Sequence, residues 1–235
     1  MRCRIAWWNP CSKRWNADMK QREVFLDSEG DAWFERNARL LDSASLAESD
    51  PLLVEIISLS APSPTQGTTV LEIGCGDGAR LGWLKENRGC SCFGVEPSAQ
   101  AVEVARARGV AVEQGTAEQL PFADYAFDMV LFGFCLYLCD REDLFRIAFE
   151  ADRVLKNPGW LLILDFYSST PSKRKYHHRP GLYSHKMDYR TLFTWNPAYT
   201  NFSQKVRHHS KGGYTDDPDE WVATSVLRKN IERSE

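Results

Sequence analysis

The chain has 235 residues, of which 43% are hydrophobic and 26% are charged, and its formal net charge is −3 at pH 7. These values are ordinary for a globular protein that buries a substantial core. They argue against a strongly basic surface that attracts nucleic acid or acidic membranes. No apolar run approaches the roughly 18 residues of a membrane-spanning helix, and the N-terminus lacks the apolar core of a signal peptide. We therefore expect a cytoplasmic protein that binds neither nucleic acid nor membrane.

The seven cysteines follow no disulfide or metal-binding pattern. An odd number without any C-x-x-C pair is typical of reduced thiols. His177-His178 and His208-His209 are adjacent pairs, and neighbours on an extended strand point to opposite faces. We therefore predict no metal site.

The N-terminal region divides into an extension and a helical part. Residues 1–18 are basic, rich in tryptophan and aperiodic, which predicts a poorly ordered extension and makes Met19 a plausible alternative start. Residues 19–66 are predicted to form a helical cap and a linker. Within them, Asp50-Pro51 has the N-cap and first-turn residues of a helix.

A glycine loop follows the first predicted strand. The apolar run 70–73 predicts a buried strand, which ends at three alternating glycines before a helical pattern begins at Ala79. Glycine permits a positive φ and lets a ligand lie against bare backbone, and the helix N-terminus offers unpaired N–H groups. Glu72 is a charge in an apolar strand. Its carboxylate therefore needs donors, either loop amides, a neighbouring side chain or a positively charged ligand.

The glycine spacing separates two classes of nucleotide-binding protein. Dinucleotide enzymes carry G-x-G-x-x-G, whereas this loop reads E-x-G-x-G-x-G. It resembles motif I of the class I S-adenosylmethionine (SAM)-dependent methyltransferases. The resemblance implies that the methionine end of SAM is held by Glu72, Gly74, Cys75, Gly76 and Gly78. The alternative is that these glycines serve only to pack the strand against the helix.

Two further segments are expected to bind the nucleoside. Glu96-Pro97 ends the second predicted strand, where a carboxylate can accept both ribose hydroxyls, although a NAD enzyme would use the same position. The segment 114–122 resembles the family's G-D-A-E-x-L-P-F loop, which implies adenine contacts by Thr116, Ala117 and Glu118. Thr116 stands where the family has an acidic residue. The backbone near Ala117 and the Glu118 side chain are then left to recognise the base.

The exit of the fourth predicted strand should face the sulfonium side of the cofactor. The strand is apolar enough to be central in a parallel sheet, and it ends at Phe132-Gly133. Methyltransferases that act on nucleobase amino groups usually carry Asn/Asp-Pro-Pro-Tyr/Phe at this point, and this chain does not. In the family, N-terminal helices often cover the cofactor. Trp33, Arg36 and Asn37 would then face SAM or substrate, with core packing and solvation as the alternatives.

The order of the elements predicts the fold. Five alternations of strand and helix up to Phe166 indicate an open, mostly parallel sheet with right-handed crossovers. Two more strands, at 199–207 and 221–228, would add a C-terminal antiparallel hairpin. We therefore predict an α/β, Rossmann-like methyltransferase sheet of seven strands with helices on both faces. This core would span 67–235, with a substrate-side insertion at about 167–198.

The chain has no obligatory catalytic signature. Methyl transfer needs a base only for a hydroxyl or a protonated amine acceptor. In the insertion, His185 is our first choice as a catalytic residue, because apolar or aromatic residues flank it. A surface or structural role is the alternative for this histidine.

The predicted function is transfer of a methyl group from SAM to an oxygen or nitrogen atom of a small molecule. The runs 28–37 and 185–193 resemble bacterial methyltransferases encoded with sugar or surface-polysaccharide synthesis. Two other functions stay open at this point: a NAD-linked oxidoreductase, and a regulatory protein that binds SAM without transferring methyl.

Overall fold

The computed structural model describes residues 20–37, 49–59, 64–211 and 213–230. Within these ranges, the strands are β1 Thr69–Ile73, β2 Ser91–Glu96, β3 Ala111–Gln114, β4 Phe127–Gly133, β5 Leu155–Phe166, β6 Ser172–Lys175, β7 Tyr183–Lys186, β8 Tyr199–His208 and β9 Trp221–Lys229. Seven of them form one sheet in the order β3-β2-β1-β4-β5-β9-β8, while β6 and β7 form a separate antiparallel pair.

The sheet confirms the predicted fold class. Strand β1 pairs in parallel with β2 and β4, and β5 continues the parallel part beside β4. Strand β9 runs antiparallel to both β5 and β8, so the last two strands form the predicted hairpin with β9 inserted beside β5. An all-parallel dinucleotide-binding sheet has no such strand.

Helices cover both faces of the sheet. The α-helices are α1 Gln21–Val24, α2 Gly30–Asn37, α3 Pro51–Ser58, α4 Ala79–Arg88, α5 Ala99–Ala107, α6 Leu144–Val154 and α7 Thr191–Thr194. Apolar residues of α3, α4 and α5 pack into one core cluster with one face of the sheet. Those of α6 and α7 pack into a second cluster on the other face. Burial on both faces explains why the central strands are almost continuously apolar.

The N-terminal cap is tied to the core through two side chains. The Gln21 amide bonds Leu138 O at 2.7 Å and both backbone groups of Tyr183. The Asp140 carboxylate accepts from the backbone N–H groups of Gln21 and Arg22, at 3.2 and 3.3 Å. In the sequence, Asp140 precedes the helical pattern that begins at Leu144, which predicts that Asp140 caps that helix, and this prediction is wrong. A 3₁₀ turn, Arg141–Asp143, separates it from α6, and Asp140 caps α1 instead.

Parts of the predicted domain division lie outside the described residues. These parts are the extension 1–18, the alternative start Met19, and segments 38–48 and 60–63 of the cap and linker. In the predicted insertion, Tyr176 and Leu182, between β6 and β7, pack on Val24 and Phe25 of the cap, whereas α7 packs in the core. None of the helices in the described ranges is long and apolar enough to cross a membrane.

Candidate active site

A cavity of about 220 Å³ opens at the carboxyl ends of β1, β2 and β4. In open α/β sheets, ligands bind at this edge. Most of the predicted cofactor residues line the cavity: Glu72, Gly74, Cys75, Gly76, Glu96, Pro97, Thr116, Ala117, Glu118 and Gly133. Side chains of the cap, among them Phe25 and Trp33, close its far side. The structure therefore brings together three loops that are separate in the sequence.

Two glycines of the glycine loop have different surroundings. Gly74 has φ +74°, and a Cβ placed on it would lie 2.5 Å from Cβ of Cys135. Gly76 has φ +53°, but a Cβ there would meet no atom within 4 Å. Gly76 lines the cavity, so its bare backbone borders space large enough for a ligand.

Three predicted residues lie away from the cavity lining. Gly78 is required for packing, because a Cβ on it would lie 2.9 Å from Cβ of Ala105 in α5. Phe132 is fully buried and packs on Phe193, in the core cluster that contains the apolar residues of α6 and α7. His185 lies on β7 and is 9% exposed. Burial, with help from Arg141 and Lys173, lowers the pKa of His185 to about 4.

The Glu72 carboxylate is held by a buried arginine. Arg80, two residues into α4, donates from Nη1 to Glu72 Oε1, and its Nη2 donates to Asp50 Oδ2 at 2.7 Å. Asp50 also caps α3 by accepting from Leu53 N at 2.9 Å, as predicted. A side chain at Gly133 would collide with this ion pair, because a Cβ there would lie 2.8 Å from Arg80 Nη1 and 2.9 Å from Glu72 Oε1.

The second carboxylate oxygen of Glu72 has no partner. Within the described residues, Oε2 is buried and makes no hydrogen bond. Burial raises the pKa of Glu72 to about 7, although Arg80 acts in the opposite direction. A buried oxygen of this kind is costly unless a donor or a cation reaches it. Glu72 is one of the residues that line the cavity, where a ligand can supply that group.

The Glu96 carboxylate lies at the end of β2. Its Oε2 accepts from Gly76 N at 2.9 Å and its Oε1 accepts from Ser98 N at 3.0 Å. Burial raises the pKa of Glu96 to about 7, and the two amides partly offset this rise. Ser98 caps α5 through Ala101 N, so Glu96 is not needed for that cap. Each oxygen accepts one N–H and retains a lone pair for a further donor.

The third loop carries a local polar contact. Thr116 Oγ1 donates to Glu118 Oε1 at 2.5 Å, and Arg22 Nε of the cap lies 3.5 Å from the same oxygen. The carboxylate of Glu118 therefore has partners from its own loop and from the cap.

The comparisons with known proteins give the family. Residues 71–163 match the methyltransferase domain family. The match supports the predicted enzyme class, the class I SAM-dependent methyltransferases, and its cofactor, SAM. The matched segment begins in β1, contains the glycine loop and ends in β5.

The curated relatives that the chain matches include an enzyme named for a fatty-acid acceptor. The fatty-acid O-methyltransferase of Mycolicibacterium smegmatis is 34% identical over 129 residues, which are 51% of this chain and 46% of that protein. The chain spans about half the length of the first curated relatives it matches. They give no support for the predicted association with sugar synthesis, which stays a prediction.

Solved methyltransferases share the fold at low identity. The Burkholderia thailandensis 1,6-didemethyltoxoflavin-N1-methyltransferase, solved with its substrate and S-adenosylhomocysteine, has a TM-score of 0.68 at 15% identity and covers 89% of both chains. A putative Haloferax volcanii methyltransferase, solved with its Trm112 activator, has a TM-score of 0.65 at 19% identity and covers 91% of this chain and 99% of that one. These likenesses show the fold alone.

The cavity fits SAM, the cofactor of the class I methyltransferases. SAM carries a cationic sulfonium and an ammonium group, and the partnerless Glu72 Oε2 is a buried acceptor beside the cavity. Glu96 has capacity for ribose hydroxyls, and Gly76 leaves the backbone accessible. We therefore assign Glu72 to the methionine end, Glu96 to the ribose and the loop 115–118 to the adenine as predictions of the fold and the family.

The segment after β4 is held in place by another buried acid. Asp165, at the end of β5, accepts from Leu136 N and Phe166 N, each at 2.8 Å. Burial raises the pKa of Asp165 to about 7, and these amides act against the rise. Phe134, in the same segment, has φ +55°, which a bulky residue rarely adopts and which costs about 1–3 kcal/mol. In this conformation Phe134 lines the cavity.

Sequence reasoning missed Arg80 and gave Asp50 only a capping role. The signal for Arg80 was a charge just after the glycine loop, directly before residues that α4 buries. Of the cap residues considered, Trp33 lines the cavity and donates to Tyr137 Oη at 3.1 Å. Arg36 instead bonds Glu29 and Tyr176, which explains its place outside the lining.

Proposed function

We propose that the protein transfers a methyl group from SAM to an oxygen or nitrogen atom of a small molecule. The observation that carries this proposal is the bare backbone of Gly76 between two buried acids, Glu72 and Glu96, on one cavity wall. The main chain of Gly76 lies between Glu72, an acceptor for a cation, and Glu96, an acceptor for the ribose diol. This arrangement suits the adenosyl and sulfonium groups of SAM.

The residues around the cavity bind and position the reactants. When bound, SAM supplies an electrophilic methyl group on a positively charged sulfur. Glu72 offers a negative oxygen to the cationic end, and Glu96 fixes the nucleoside. Trp33, which donates a hydrogen bond to Tyr137, lines the cavity on the side of the cap and reduces its contact with solvent. Placing and desolvating the two reactants is the main catalytic task, because charge is dispersed in the transition state.

A small acceptor is favoured over a macromolecule by the enclosure of the cavity. Phe25 and Trp33 of the cap close one side, and Gln21 fastens the cap to the insertion through Tyr183. The net charge of −3 provides no general attraction for a polyanion. The cytoplasmic location stays a prediction.

The alternatives differ in what they need from this chain. The antiparallel β9 and the early third glycine argue against a NAD-linked oxidoreductase. Binding without transfer would keep the same cavity, so only turnover separates it from catalysis.

The experiment is an acceptor screen. Purified protein is incubated with SAM labelled on its methyl group and with fractionated small-molecule extracts, and the labelled product is identified by mass spectrometry. We expect one class of small molecule to acquire the label, and Glu96→Gln to reduce labelling at sub-saturating SAM. Binding of SAM without label in any fraction would favour the regulatory alternative. Label in RNA or protein alone would refute a small acceptor.

A further inference from the structure

Four rings meet at the edge of the sheet beside the cofactor cavity. Phe134 and Phe166 lie 5.4 Å apart between ring centroids, and Tyr137 lies 4.9 Å from Phe166. The His209 imidazole packs on both phenylalanines, at 4.9 Å from Phe166 and 5.6 Å from Phe134. We call these four residues the ring cluster. Because Phe134 also lines the cavity, the ring cluster continues the cavity wall past the end of β4.

The ring cluster lies on the side where an acceptor must approach. It is built from residues at or just after the ends of β4 and β5, which are neighbours in the sheet, and from the residue after β8, which β9 separates from β5. Phe134, whose strained backbone has φ +55°, both lines the cavity and packs on His209. Strain of this kind is retained where the surrounding structure enforces it, often at functional sites.

His209 and its neighbour His208 have different roles. His208 Nδ1 accepts from Ser210 N at 3.1 Å and from Lys211 N at 3.2 Å, so it stabilises the turn after β8. His209 is exposed, and within the described ranges neither of its ring nitrogens makes a hydrogen bond. Its backbone N–H donates to Glu220 O at 2.8 Å and fixes its place beside the rings. His209 is therefore positioned by packing while its nitrogens remain available.

The charges around His209 keep it able to accept a proton. Partial burial against the rings lowers the pKa of His209, and the Glu220 carboxylate acts in the opposite direction. His208 and Lys186 lower it further. The Lys186 ammonium lies 5.3 Å from the Phe166 ring centroid, at the rim of the ring cluster. A neutral imidazole near pH 7 is a proton acceptor.

We propose that the acceptor is a planar ring compound with a hydroxyl group, that it stacks on the ring cluster, and that His209 accepts the hydroxyl proton. This proposal rests on the proposed methyltransferase function. The faces and edges of Phe134, Tyr137 and Phe166 favour a flat aromatic partner over a flexible chain. His209 then becomes a catalytic residue in the role that the sequence assigned to His185; both histidines lie outside the cavity lining, but His209 packs on Phe134, which lines the cavity.

The reaction balances without a further reagent. The acceptor oxygen forms a bond to the methyl carbon, while the carbon–sulfur bond of the SAM methyl donor breaks and its electron pair stays on sulfur. The hydroxyl proton passes to a ring nitrogen of His209 and from there to solvent. The products are a methyl ether, S-adenosylhomocysteine and one proton.

The first test is a binding measurement that needs no turnover. 2-Naphthol is titrated into protein saturated with S-adenosylhomocysteine, and the His209 ring signals are followed by NMR. We expect saturable shifts at His209 and at least tenfold weaker binding in Phe166→Ala. The exposed His178 provides the control, since His178→Asn should bind as the wild type does. Binding that leaves the His209 signals unchanged would overturn the proposal.

The second test separates proton transfer from structure. Simple phenols and naphthols are offered as acceptors with labelled SAM to wild type, His209→Ala and His178→Asn. We expect His209→Ala to lose at least tenfold in kcat at neutral pH, to recover activity at higher pH, and to be rescued by added imidazole. Equal kcat in His209→Ala, or label only on amines or aliphatic chains, would overturn the proposal. Failure of S-adenosylhomocysteine to bind at all would instead refute the proposed function beneath it.

Discussion

Arg80 donates to one carboxylate oxygen of Glu72 and leaves the other, Oε2, buried and without a hydrogen-bond partner among the described residues. Asp50 completes this group by pairing with the same guanidinium. Arg80 thus holds the Glu72 side chain in one orientation. Oε2 of Glu72, a residue that lines the cavity, is left to accept from a ligand.

Removing the arginine should destabilise the protein strongly. Arg80→Met leaves the carboxylates of Glu72 and Asp50 buried without their cation, and we expect a loss of about 3–5 kcal/mol in the free energy of unfolding. In the double variant Glu72→Gln/Arg80→Met, one of the two charges is removed, so its loss should be smaller than the sum of the two single losses. Urea denaturation measures all three.

The matched control for this cycle is an exposed pair. Arg174 pairs with Asp219, and both side chains are about half exposed. Arg174→Met should therefore cost no more than about 1 kcal/mol. Equal losses at Arg80 and Arg174 would show that the buried group has no structural role.

Glu96 should make cofactor binding depend on pH. Ribose hydroxyls donate to the ionised carboxylate, and burial raises the pKa of Glu96 to about 7 in the ligand-free protein. The affinity for SAM should therefore rise with pH up to about 7 and then level off. Glu96→Gln should bind about 10–100-fold more weakly above that pH, which corresponds to about 1–3 kcal/mol, and should lose the dependence. Calorimetry measures both, with the exposed Glu103→Gln as control; an unchanged affinity in Glu96→Gln would refute the ribose assignment.

A methyl group at Gly76 should obstruct the ligand more than the fold. Gly76→Ala places its Cβ in open space at a positive φ, so the strain should cost about 1 kcal/mol while the ligand loses its place against the backbone. Gly67 also has a positive φ and an unobstructed Cβ direction, and it lies outside the cavity. Both variants should lose similar stability, but only Gly76→Ala should weaken S-adenosylhomocysteine binding. Equal affinities in the two variants would remove Gly76 from the site.

Asp165 should make the ligand-free protein less stable as the pH rises. Its folded-state pKa of about 7 lies above the unfolded value of about 4, so the folded state binds the proton more tightly. The resulting stability is complete below about pH 4 and is lost as the pH rises through about 7. Asp165→Asn should flatten this decline by on the order of 2 kcal/mol, measured by denaturation at about pH 5 and about pH 8. The exposed Asp27→Asn is the control, and an unflattened decline in Asp165→Asn would contradict the assignment.

The sequence predicts those parts of the molecule that depend on neighbouring residues. The glycines at 74, 76 and 78 predict the loop because a tight strand-to-helix turn needs positive φ at these positions, which all three adopt. The apolar run of β4 and the antiparallel hairpin are predicted because burial sets their hydrophobic pattern. The N-cap at Asp50 is predicted for the same local reason.

The sequence does not predict contacts that bring distant segments together. Asp140 caps a helix about 119 positions earlier in the chain, and no local pattern distinguishes that from a cap on the next helix. The sequence shows His209 only as one of two adjacent histidines. Its packing against Phe134 and Phe166 depends on how the ends of distant strands align. Conversely, His185 has the residue type of a base but lies on β7, away from the cavity lining.

The most direct test of the central claim is a crystal structure of the protein with S-adenosylhomocysteine. The account predicts the ribose hydroxyls on the Glu96 carboxylate, the amino-acid end beside Glu72 and Gly76, and the sulfur facing Phe134. A nucleoside bound at any other place on the protein would contradict it.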